Sequence, residues 1–124
     1  MRGSLAALLA SGLVTAGLAL PTPAAAHAFL VRSTPASRAT LARAPERVRL
    51  WFNERLEPAY SSVSVWSADG GAQVDSKDGA VSTDDPRRLE LSLPPVPPGR
   101  YVIRFRVLSV DGHVVESSVP FTVR

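Results

Sequence analysis

Tyr101, Ile103, Phe105 and Val107 lie two residues apart, with Val102, Arg104 and Arg106 between them. That alternation dictates an extended strand with one buried face, because successive side chains of a β-strand point to opposite sides. The same period of two runs through Val48, Leu50 and Phe52, through Val63 and Val65, through Leu89, Leu91 and Leu93, and through Val115, Val119, Phe121 and Val123. Asp69-Gly70-Gly71 marks a hairpin-type turn. Pro94-Pro95-Val96-Pro97-Pro98-Gly99 stops a strand and connects it to the next. Helical spacing is weak: residues 36–44 offer at most a turn or two, which Pro45 would end. Residues 74–88, polar and turn-rich, read as a solvated loop or an edge strand. Short strands at close intervals without crossover helices predict an all-β chain, an antiparallel Greek-key β-sandwich of immunoglobulin-like type with about seven strands.

The first 26 residues have a different character. Arg2 supplies a positive start, residues 5–20 form an apolar run broken only by Gly, Ser and Thr, and Ala24-Ala25-Ala26 is a small-residue cleavage signature. The expectation is a secretory signal peptide at 1–26 and one exported domain at 27–124, periplasmic or secreted. Ala26-His27-Ala28 also fits the cleavage pattern, and a cut after Ala28 would discard His27. The apolar run is short for a membrane span, which needs about 20 such residues, and no later stretch approaches that length. Arg2 is the one basic residue before His27, so the 14 Lys and Arg against 11 Asp and Glu leave residues 27–124 with a formal charge of +2. Scattered basic residues in that balance do not make a nucleic-acid surface. There are no cysteines, so disulfides and thiolate metal sites are excluded and stability must come from the core.

The chain's two histidines stand at special positions. His27 directly follows the proposed cleavage bond, where processing would create an amine and an imidazole on one residue; His113 lies two residues from Asp111. Continuing the Tyr101 to Val107 face by twos reaches Ser109, Asp111 and His113, which would project together beyond the packed layer. Asp111-Gly112 is equally a hairpin signal, in which Val110 and Val114 flank a tight turn and Asp111 serves the backbone. An amine, two imidazoles and a carboxylate make a nitrogen and oxygen donor set of the kind copper(II) prefers. His27, Asp111 and His113 are therefore the candidate metal ligands.

Several stretches carry a resemblance to a known family. They are His27 after the signal, Leu30-Val31-Arg32-Ser33-Thr34-Pro35-Ala36, Val48 to Phe52 followed by Asn53-Glu54-Arg55-Leu56, and Tyr101 to Val107 followed by Ser109-Val110-Asp111-Gly112-His113. Together they resemble the CopC family of periplasmic copper-resistance and copper-carrier proteins. The resemblance implies a β-sandwich that binds Cu(II) through the terminal amine, the His27 ring, Asp111 and His113, with Glu54 as an additional candidate ligand. It also implies a copper-buffering or copper-delivering role beside an inner-membrane copper transporter, and no enzymatic activity. Some members of the family add a methionine-rich Cu(I) site; Met1 is the chain's single methionine, which excludes a site of that kind. Where a Gly-containing step into the last strand is expected, this chain has Val114-Val115-Glu116-Ser117.

Two other function classes fit parts of the pattern. One is a metal-free immunoglobulin-like structural or adhesion module; the other is a histidine-brace copper monooxygenase, which would need an open copper position and a broad substrate face. Trp51 and Trp66 fall out of phase with the apolar face of their strands and read as cover for the outer sheet surfaces. The pairs Arg87-Arg88 and Arg104 with Arg106 read as solvated or edge-protecting cations.

Overall fold

The computed structural model describes residues 28–124, together with Gly3, Gly12 and residues 17–19. The proposed cleavage region and His27 lie outside the described residues. No helix among the described residues is long and apolar enough to cross a membrane.

Eight strands form two four-stranded layers. In chain order they are β1 (Leu30–Thr34), β2 (Ala39–Leu41), β3 (Arg47–Phe52), β4 (Ser62–Ser67), β5 (Ala80–Val81), β6 (Arg88–Ser92), β7 (Gly99–Leu108) and β8 (Val114–Val123), with a 3-10 turn at Pro58–Tyr60. One sheet runs β1-β3-β6-β5 and the other β2-β8-β7-β4. Only β5–β6 and β7–β8 are consecutive strands paired side by side. Every other connection crosses between the layers, as Greek-key topology requires.

The alternation in the sequence becomes the core. Val48, Leu50 and Phe52 of β3 and Leu89 and Leu91 of β6 face Val63 and Val65 of β4, Tyr101 to Val107 of β7, and Val119, Phe121 and Val123 of β8. Phe52 and Phe105 meet edge to face across the layers at 5.2 Å, and Tyr101 stacks beside Phe121 at 5.5 Å. Each fully buried side chain of this size contributes about 1.5–3 kcal/mol. In a chain without cysteines, that burial takes the place of disulfides.

Two elements depart from the sequence expectation. Residues 36–44 form no helical turn but contain β2, which lies parallel to β8 through Ala39↔Phe121 to Leu41↔Val123. Arg38 N donates to Pro120 O at 2.7 Å and Arg124 N to Leu41 O at 3.0 Å, bonds that no local pattern announces. This pairing makes its sheet mixed and, with the two-residue edge strand β5 inside 74–88, brings the count to eight. Asp75 is the second surprise. It is buried within that polar segment, accepting Val65 N at 2.8 Å and Lys77 N at 2.7 Å, so its carboxylate acts as a strand partner for β4.

Candidate metal centre

β7 keeps its phase through Ser109, which is fully buried and bridged to Leu56. Beyond it the chain reverses. Gly112 N donates to Ser109 O at 2.9 Å, Ser109 N donates to His113 O at 3.0 Å, and Gly112 takes φ +92°, a conformation disfavoured for any residue with a Cβ. Asp111 and His113 therefore sit in a hairpin turn and not on an extended continuation of β7. The hairpin reading holds in place of strand parity because side-chain and turn bonds replace the ladder here. β8 resumes at once, with Val114 opposite Leu108 and no glycine-containing step.

The turn nonetheless brings the candidate pair together. Oδ1 of Asp111 accepts the Ser109 hydroxyl, accepts the His113 amide at 3.3 Å, and faces Nδ1 of His113 at 3.2 Å. The Ser109 hydroxyl is the main reason the Asp111 carboxyl is held below the usual carboxylate range. Desolvation pushes the other way, and the bonds and charge of His113 add to the lowering. The result is a fixed anion beside a half-exposed imidazole.

A chain of backbone bonds ties this turn to the point where the chain enters the sandwich. Ala28 is buried, Phe29 N donates to Asn53 Oδ1 at 2.7 Å, and Asn53 N returns a bond to Phe29 O at 3.2 Å. The loop that Asn53 opens then reaches the turn: Val110 N donates to Arg55 O at 3.0 Å and Glu57 N to Leu108 O at 2.8 Å. Asn53 is thus the residue whose role the sequence concealed. The detectable signal is an Asn ending an alternating strand, where its short amide can bond a neighbouring backbone. Glu54 lies in this loop, half-buried. Among the described residues no group of three or more His, Cys, Asp or Glu side chains is placed to hold a metal. Asp111 and His113 stand as a pair, and Glu54 is not gathered with them.

The model of the CopC domain matches residues 30–124. The chain belongs to the CopC family. A curated relative, copper resistance protein C of Pseudomonas syringae pv. tomato, is 31% identical over 128 residues, covering 99% of this chain and 97% of that protein. Copper transport protein CutJ of Bacillus subtilis is 30% identical over 105 residues, covering 84% of this chain; the match spans 19% of CutJ's own length. Among solved structures, CopC from Methylosinus trichosporium OB3b superposes with a TM-score of 0.71 at 42% identity, covering 78% of this chain and 93% of that one. In this CopC chain, Phe29, Tyr60, Val110 and Val114 are large apolar residues left exposed. Phe29 lies where the chain enters the sandwich, Tyr60 ends the 3-10 turn, and Val110 and Val114 flank Asp111 to His113.

Proposed function

We propose that residues 27–124 are an exported, periplasmic or extracytoplasmic protein of copper resistance and homeostasis, which binds Cu(II) and buffers it or passes it to an inner-membrane copper transporter. Its ligands are the terminal amine and imidazole of His27 with Asp111 and His113, and Glu54 is an additional candidate. The observation that carries this reading is the Asp111–His113 pair, bonded through the loop at 53–57 to Phe29, two residues along the chain from His27. Relatives named for copper resistance and copper transport support copper as the cargo.

The donor chemistry fits the oxidised ion. Imidazole and carboxylate suit Cu(II), whereas soft sulfur donors, which suit Cu(I), are confined to Met1. Asp111 can act twice: its Oδ1 accepts the Ser109 hydroxyl and the His113 amide and faces the His113 ring. One oxygen orients the ring of His113 while the other serves the ion, the arrangement that commonly supports metal-bound histidine. A carboxylate in that position occupies a place that oxygen-activating copper leaves open, so the role is binding and not catalysis. Exposed Val110 and Val114, which flank the pair in the chain, supply apolar area for a transient contact with a receiving protein.

Mass spectrometry of the exported protein, with and without copper, tests the site directly. The expected species begins at His27 and holds a single Cu(II). Adding one residue before His27 should weaken binding at least about tenfold, because the amine leaves the chelate. A mature chain beginning elsewhere, or equal affinity of the extended form, overturns the site.

A further inference from the structure

The outer face of the β1-β3-β6-β5 sheet carries four arginines. Cross-strand register sets Arg32 opposite Trp51, Trp51 opposite Arg88, Arg49 opposite Glu90 and Arg47 opposite Ser92, all on the face away from the core. Glu90 is shared, lying 3.5 Å from Arg47, 3.8 Å from Arg49 and 3.1 Å from Arg88. A second carboxylate near these arginines is Asp78, which accepts Ser92 N at 2.8 Å and feels the charge of Arg47. Four cations against Glu90 and Asp78 leave an excess of two, as large as the formal charge of the whole of residues 27–124. On the opposite sheet the cations are largely answered in place: Arg100 pairs with Asp69 at 2.7 Å and Arg106 with Glu116 at 2.9 Å, while Arg104 stacks on Trp66.

We propose that this arginine-lined sheet face is a docking surface for an extended acidic segment of a partner protein, one with Asp or Glu at alternate positions. Three features select that occupant. The guanidinium of Arg32 lies over the Trp51 ring at 4.6 Å, so its flat face is used and its N–H edges suit the planar, bidentate geometry of carboxylates. Arg47 and Arg49 are about half exposed, and two residues on one strand lie about 6.6 Å apart. An extended peptide repeats its side chains on one face at the same interval. Charge complementarity supplies the attraction. An anionic lipid surface fits less well, since lipid-binding patches use about four to eight basic residues, largely uncompensated. This inference is independent of the copper site.

The test uses the purified chain 27–124 and a fluorescein-labelled peptide of alternating Glu and Thr, followed by anisotropy at low and physiological salt. Saturable binding that weakens with salt is expected. The Arg47→Gln/Arg49→Gln double variant should lose at least about tenfold in affinity, and Arg32→Gln should weaken binding in the same direction. Arg104→Gln, on the other sheet, should bind like the parent. Glu90→Gln removes the internal competitor and should tighten binding about threefold or more. Melting curves confirm that each variant is folded. No saturable binding overturns the proposal, as does equal binding by the folded double variant. Preferential binding to phosphatidylglycerol vesicles over the peptide overturns it in favour of a lipid surface.

Discussion

Oδ1 of Asp111 lies 3.2 Å from Nδ1 of His113, and the same oxygen accepts the hydroxyl of buried Ser109. A single carboxylate oxygen thus ties the end of β7, the turn and the imidazole into one unit, so a change at any one of them should be felt by the others.

Asp111→Asn keeps the shape and the Oδ1 acceptor but removes the charge. Cu(II) affinity should fall about 10–100-fold, the scale seen when the carboxylate supporting a metal-bound histidine is altered. His113→Ala should abolish tight binding with the fold intact, because the ring is half exposed and lies outside the core. Competition titration against a copper chelator measures both, and an unchanged His113→Ala titration refutes the site.

Ser109→Ala removes the largest influence lowering the Asp111 pKa. In the parent protein the depressed value means that ionised Asp111 adds stability above about pH 3.9, the ordinary Asp value, and that this is lost as pH falls through the lower folded value. The variant should titrate closer to an ordinary Asp and lose part of that acid-range stability. Carboxyl carbon shifts followed by NMR from pH 7 to 2 give the answer; an unmoved midpoint would show that the Ser109 bond does not act.

Copper retention should fall between about pH 8 and 5, because the amine and imidazoles must shed protons to bind. Asp111, ionised well below that window, contributes none of the loss. A flat copper-binding profile across this range would contradict three nitrogen donors.

Gly112→Ala meets no neighbouring atom, since nothing lies within 4 Å of the added Cβ, but it forces φ +92° on a residue with a side chain. The cost should be about 1–2 kcal/mol, carried by the backbone alone. Urea unfolding measures it, and a variant of parental stability would show that the turn tolerates another geometry.

Asp75→Ala strands Val65 N, Lys77 N and the Gln73 amide, which Asp75 satisfies at 2.8, 2.7 and 3.1 Å. Leaving these donors without their buried acceptor should cost about 2–3 kcal/mol by urea unfolding. A loss below about half that would mean water replaces the carboxylate.

The apolar faces of β3, β4, β6 and β7 can be read from residues two apart, since a strand's pleat sorts neighbours onto opposite sides whatever the partner. Trp51 and Trp66 likewise announce themselves as outer cover, and they are found under Arg32 and Arg104. The Asp111–His113 proximity is also local, spanning a single glycine. Asn53 and Asp75 are different: each exchanges bonds with a segment far off in sequence or hidden in a polar stretch, and no periodicity marks such a partner.

What the amino-acid order determined alone is the long alternating strands and their buried faces, the absence of cysteine chemistry and the pairing of a carboxylate with an imidazole across Gly112. Tertiary structure decided that residues 39–41 become a parallel strand, that β7 ends in a hairpin and that Phe29, the loop at 53–57 and the turn are bonded in series. It also decided that arginines from two neighbouring strands, β3 and β6, gather around Glu90. The physical reason is range: alternation and turn chemistry act over a few residues, whereas hydrogen-bond partners and cross-strand neighbours are supplied by segments that meet only when the two sheets close on a shared core.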